Sequence, residues 1–157
     1  MRRALIILCA LVLDASLLGP AWAAQVCAWI DESVEEDGTH KFELNLSVDA
    51  PTSVAVGFRG PGFTSGSMGG EMIQLDPGAA KDVDGEGFDV SAGDDLRFDV
   101  QLFDHPLSLD ELDSPVGKPL AAFTFRRKVG GDETAPPADL STKQCKNLDA
   151  SADSPRE

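Results

Sequence analysis

Two stretches of this chain alternate apolar and polar side chains with a period of two, and that pattern limits the fold more than any other feature. Over residues 39–49, Phe42, Leu44, Leu46 and Val48 share one register, while Lys41, Glu43, Asn45, Ser47 and Asp49 share the other. Over residues 95–103, Leu96, Phe98, Val100 and Leu102 alternate with Arg97, Asp99, Gln101 and Phe103. Successive side chains of a strand point to opposite faces, so each stretch predicts a strand with one dry and one wet face. In a helix the same apolar residues would be spread around the axis and could not share one buried stripe.

Residues 26–32, 53–59, 71–75 and 119–129 predict further strands, and residues 87–90 a weaker one. In the second of these, Val54, Val56 and Phe58 face inward and Ala55, Gly57 and Arg59 outward. In the fourth, Phe123 and Phe125 share one face, and Ala122, Thr124 and Arg126 the other. Asp37-Gly38, Ala50-Pro51-Thr52, Asp76-Pro77-Gly78 and Ala92-Gly93-Asp94 are turn chemistry between them. Residues 60–70 read as a Gly-rich loop. Residues 105–118 hold two prolines and several acids, too polar for a core strand, with Ser108 as the cap of one helical turn. Six or seven short strands with no convincing helix imply two packed antiparallel sheets. The expected fold is an all-β, immunoglobulin-like sandwich over residues 24–130, with a small barrel as the alternative. Residues 131–157 are expected to be a disordered acidic tail, apart from what Cys145 ties down.

The start of the chain reads as an address. Met1-Arg2-Arg3 is basic, residues 4–18 are mostly apolar, Gly19-Pro20 breaks the run, and Ala21-Trp22-Ala23 has small residues where signal peptidase reads. A cleaved secretory signal over residues 1–23 is expected. An uncleaved anchor would need about 18 apolar residues, and the run falls short. The processed chain would then be exported to the periplasm or beyond it, with no membrane insertion. It would keep two cysteines, Cys27 and Cys145, and an even pair in an exported protein reads as a disulfide. Two unpaired thiols are the alternative. No Cys-x-x-Cys redox motif is present.

Lys and Arg total 13 against 27 Asp and Glu, a formal charge of −14, and loss of Arg2, Arg3 and Asp14 makes it −15. Nucleic-acid binders carry a basic footprint, and anionic membranes attract basic segments, so this charge disfavours both partners. Against that background, Arg59, Arg97 and Arg126 all fall on outward registers of their strands. In a sandwich of this type the third strand and the last two share a sheet. Those arginines, with Gln101 and Thr124, would form a locally basic face, extended by Arg127 and Lys128. It would suit an extended or acidic polypeptide; local pairing to Asp99 would reduce it to ordinary solvation.

Other motifs are weaker. Asp82, Asp84, Glu86 and Gly87 match the register of a calcium loop, but Gly93 stands where a bidentate Glu belongs and no helix flanks the loop. An acidic connection between strands is the plainer reading. His40 and His105, with Met68 and Met72, lack the tight spacing of a copper site. No Gly-x-Ser-x-Gly elbow points to a hydrolase, so catalysis and a cofactor are not expected.

The middle of the chain resembles the periplasmic curli-assembly chaperones of the CsgC and CsgH type. The resemblance runs from Cys27-Ala28-Trp29-Ile30 through Ser65-Gly66-Ser67-Met68-Gly69-Gly70 and residues 72–78 to Phe88-Asp89-Val90-Ser91-Ala92-Gly93-Asp94-Asp95-Leu96. Cys145 and residues 105–118 are not part of that family pattern. The resemblance implies an immunoglobulin-like sandwich, a monomer without cofactor or catalysis, that restrains a secreted subunit from forming amyloid. The contacts expected for such a client are Arg59, Arg97, Gln101 and Arg126. The rival expectations are a structural or adhesive module of an extracellular assembly, and a calcium- or copper-binding periplasmic protein.

Overall fold

The computed structural model describes residues 24–61, 68–83, 87–113, 117–129 and 140–148. The expected signal at residues 1–23 lies outside them. Among the described residues the strands are β1 (Gln25–Val34), β2 (His40–Val48), β3 (Thr52–Arg59), β4 (Met68–Leu75), β5 (Lys81–Val83), β6 (Gly87–Phe88), β7 (Asp95–Phe103), β8 (Ala121–Lys128) and β9 (Gln144–Asn147). One short helix, α1 (Leu109–Asp113), separates β7 from β8. One antiparallel sheet has the order β5-β2-β1-β9, with β6 also pairing β2; the other has the order β4-β3-β7-β8.

The alternation explains why the sheets face each other. Phe42, Leu44 and Leu46 of β2 and Val26, Ala28 and Ile30 of β1 are buried against Val54, Val56 and Phe58 of β3 and Leu96, Phe98, Val100 and Leu102 of β7. Phe98 lies at the centre, 4.9 Å from the Phe42 ring and 6.0 Å from the Phe58 ring. Burying each of the larger side chains contributes roughly 1.5–3 kcal/mol.

Two glycines do specific work. Gly38, at φ 89°, closes the β1–β2 hairpin, where Gly38 N–H donates to the Glu35 carbonyl at 3.0 Å. Gly70, at φ 100°, sits where the β3–β4 register shifts between Ala55 and Gly57. The extra residue here is accommodated at a left-handed position, which glycine takes without a Cβ clash. This shift lets β4 begin at Met68, earlier than the expected start at residue 71.

The structure corrects two readings and extends a third. Residues 140–148 are not a disordered tail: β9 pairs antiparallel with β1 from Gln25↔Asn147 to Ala28↔Gln144, and Leu140 and Leu148 are buried in the core. Leu148 N–H donates to the Ala24 carbonyl at 2.8 Å, so the two ends of the described body meet. Among their described residues, 105–118 form no strand and carry one helical turn, as expected, and they add a buried contact. Leu107 is buried with Ala55 and Phe103 in a second small cluster. The apolar faces of Ala55 and Phe103, outward by register, are thereby covered. Lastly, β5 forms at residues 81–83, where no strand was expected, by pairing with Leu44–Leu46 of β2.

Cys27 and Cys145 form a disulfide between facing residues of β1 and β9, with Cα atoms 4.0 Å apart. It closes a loop of 118 residues. In the chain-entropy account such a loop contributes about 4–5 kcal/mol by restricting the unfolded chain. The seam between the sheets is closed on the same side. Gln144 Nε2 donates to the Thr124 carbonyl at 3.0 Å, and Lys146 Nζ donates to the Ala122 carbonyl. Lys146 also lies over the Phe123 ring. Among the described residues no helix is long and apolar enough to cross a membrane.

Candidate binding face

The outer face of β3, β7 and β8 brings the expected contact residues together. Arg97 stands directly opposite Arg126, Arg59 opposite Asp99, and Gln101 between Gly57 and Ala122. Lys128 stands opposite Asp95. The face therefore presents four cations, Arg59, Arg97, Arg126 and Lys128, against two carboxylates, Asp95 and Asp99. That is a local excess of positive charge on a chain of net −14.

Asp99 organises the middle of the face. It accepts from Arg97 Nε at 2.9 Å and from Thr124 Oγ1 at 2.8 Å. Local pairing to Asp99 thus holds for Arg97, whose side chain remains 55% exposed. Arg126 is exposed and, among the described residues, forms no ion pair. Like charges directly opposite on neighbouring strands repel. Asp99 relieves that repulsion from the Arg97 side, and water screens the remainder.

Arg127 does not extend this face. It pairs in register with Leu96, on the inner side of β8, and crosses the open end of the sandwich to Glu32 of β1. Glu32 also holds His40 Nδ1 of β2 at 2.7 Å. Alternation alone assigns this parity: Phe123, Phe125 and Arg127 share one side of the strand.

The other end of the face is apolar and capped. Leu107 covers Ala55 and Phe103, and the His105 ring meets Phe103 edge-on at 5.7 Å. His105 also bonds the carboxylate of Asp104 at 2.8 Å, and that bond holds Asp104 below the ordinary aspartate range. Just beyond, the Ser108 N–H and hydroxyl both donate to Glu111 Oε2 at 2.9 Å. This is the carboxylate half of a capping box, and the backbone N–H of Ser108 is the main reason the Glu111 carboxyl is lowered from its ordinary value. Leu107 gave no sequence signal beyond being one of three leucines in a mostly polar stretch.

The remaining candidates are not brought together. Asp82 lies on β5 opposite Asn45; Asp84 and Glu86 of the calcium reading lie outside the described residues. Each histidine has its own carboxylate, Glu32 for His40 and Asp104 for His105. Met72 is exposed on β4, opposite Ala55. Among the described residues no group of three or more His, Cys, Asp or Glu side chains is placed to hold a metal ion. The chain matches no family model, no curated protein and no solved structure.

Proposed function

We propose that this chain is a non-enzymatic, exported binding module that holds an extended or acidic polypeptide on its β3-β7-β8 face and restrains its aggregation. The client class is a secreted, curli-type amyloid subunit, and the compartment the periplasm. The observation that carries the reading is the gathering of Arg59, Arg97 and Arg126 on three neighbouring strands of an otherwise acidic molecule. An immunoglobulin-like arrangement of the sandwich fits the strand order, with the β1–β2 hairpin in one sheet and β3, β7 and β8 together in the other. The disulfide supports an oxidising compartment.

The mechanism follows from charge and geometry. An acidic client is drawn to the basic face, while the rest of the molecule repels it and so fixes the orientation of approach. A bound chaperone adds charge and bulk to a growing cross-β end, which must stack identical strands closely to extend. Held in that way, the client stays unassembled without any covalent step.

The test is the lag time of a curli-type subunit assembling in the presence of the chain from Ala24 onward. The expected result is a longer lag at substoichiometric ratios, abolished by Arg97→Glu with Arg126→Glu. An unchanged lag with the unsubstituted chain overturns the reading. A stable stoichiometric complex with no effect on lag identifies a structural or adhesive module instead.

A further inference from the structure

β9 covers two strand edges at once. Its backbone pairs with β1 over Gln25–Ala28, and its flanks add two bonds: Ile30 N–H to the Leu140 carbonyl and Leu148 N–H to the Ala24 carbonyl. Its side chains Gln144 and Lys146 donate to carbonyls of β8, which is the edge strand of the other sheet. Four residues on one register do this work: Leu140 and Leu148 fill the core, and Gln144 and Lys146 reach across the seam.

The strand itself is short. β9 has four residues, three of them exposed, and its centre is fixed by the Cys27–Cys145 bond, with Cys145 exposed. An accessible disulfide sulfur is open to thiolate attack. Uncovered strand edges are templates for pairing with another chain. The other strands pair with one another directly, β1 with β2, β3 with β7 and β7 with β8.

We propose that the Cys27–Cys145 disulfide latches a strand-acceptor site, and that its reduction lets β9 leave so that the β1 edge and the β8 carbonyls accept an extended strand of another polypeptide. The occupant has the pattern that β9 shows: Gln or Lys two residues apart on one register, with a large aliphatic residue two positions further on. Recognition is by main-chain pairing, with alternate side chains giving specificity. The reductant is a dithiol. Its thiolate attacks the Cys145 sulfur, the S–S bond breaks, and Cys27 leaves as a thiolate that takes up a proton. The second thiol then resolves the mixed disulfide, so Cys145 becomes a thiol, the dithiol becomes a disulfide, and two electrons have passed to the protein. This site makes no use of the arginine face and stands or falls separately from it.

The test uses the chain from Ala24, in which Trp29 is the sole tryptophan. Lys143 lies 4.2 Å over its ring, so Trp29 emission reports the segment beside β9. Native-state hydrogen exchange is measured before and after dithiothreitol, and again on C27S/C145S. The expected result is lost protection at Ile30, Leu148 and the β9 amides, a shift of Trp29 emission, and retained protection in β2 and β7. A labelled peptide of residues 140–148 carrying C145S then binds the reduced chain about tenfold more tightly than the oxidised one, as expected when the competent state rises from minor to dominant. Unchanged β9 protection after reduction overturns the proposal. So does loss of protection through β2 and β7 together with β9, or equal peptide binding to both forms.

Discussion

Glu32 gathers two side chains at the end of the sandwich, the Arg127 guanidinium from the opposite sheet and the His40 ring from the neighbouring strand. Its side chain is 9% exposed, so replacing it by an amide leaves a largely buried guanidinium without its counter-charge. Glu32→Gln is expected to lower unfolding free energy by about 1.5–3 kcal/mol, the usual scale for a charge-assisted hydrogen bond, measured by denaturant titration. Glu111 offers a pH readout. Its folded pKa is depressed, chiefly by the Ser108 N–H, so the cap contributes fully above the ordinary glutamate range and fails as pH falls through the lowered value. Side-chain NMR is expected to show Glu111 titrating at lower pH in the folded chain than in a peptide of residues 105–118. At this scale the sequence is legible wherever parity decides: Phe42, Leu96 and Phe98 are inward as alternation predicts. Phe103 shows where parity stops. Its register is outward, yet Leu107 folds over it, and nothing local to residues 95–103 announces a cover supplied by a following loop.

β9 was hidden from the sequence for a physical reason. Gln-Cys-Lys-Asn has no alternation of apolar and polar residues, because its inner side chains lie at the seam and need long donors there. Its partners, Leu140 and Leu148, sit too far apart to form a periodic run. β5 was hidden likewise, since three residues carry no pattern and its pairing is dictated by β2. Strands β2 and β7, by contrast, are half-buried along their whole length, so their sequence carries their structure. The seam can be tested by removing its donors. Gln144→Ala with Lys146→Ala keeps the disulfide but returns the Ala122 and Thr124 carbonyls of an edge strand to water. The expected outcome is an unchanged β signal in circular dichroism with faster aggregation on agitation, followed by light scattering.

The whole molecule is acidic, and its basic face is a local inversion of that field. Exposed charges interact over a screening length of about 30 Å at 0.01 M salt and about 8 Å at 0.15 M. Client association through Arg59, Arg97 and Arg126 is therefore expected to slow as salt rises, with the R97E/R126E chain losing most of that dependence in stopped-flow measurements. The gathering of these arginines was legible because three strands of known parity share a sheet, and so was pairing to Asp99 on the register of Arg97; that Thr124 joins Asp99 from the next strand needed the actual register.

Since the backbone of Leu148 bonds that of Ala24, the body could be spliced into a ring by a short linker between those two residues, then cut open at the exposed Asp37-Gly38 turn. Such a permutant would begin and end at the far tip of the β1–β2 hairpin while leaving both sheets paired as they are.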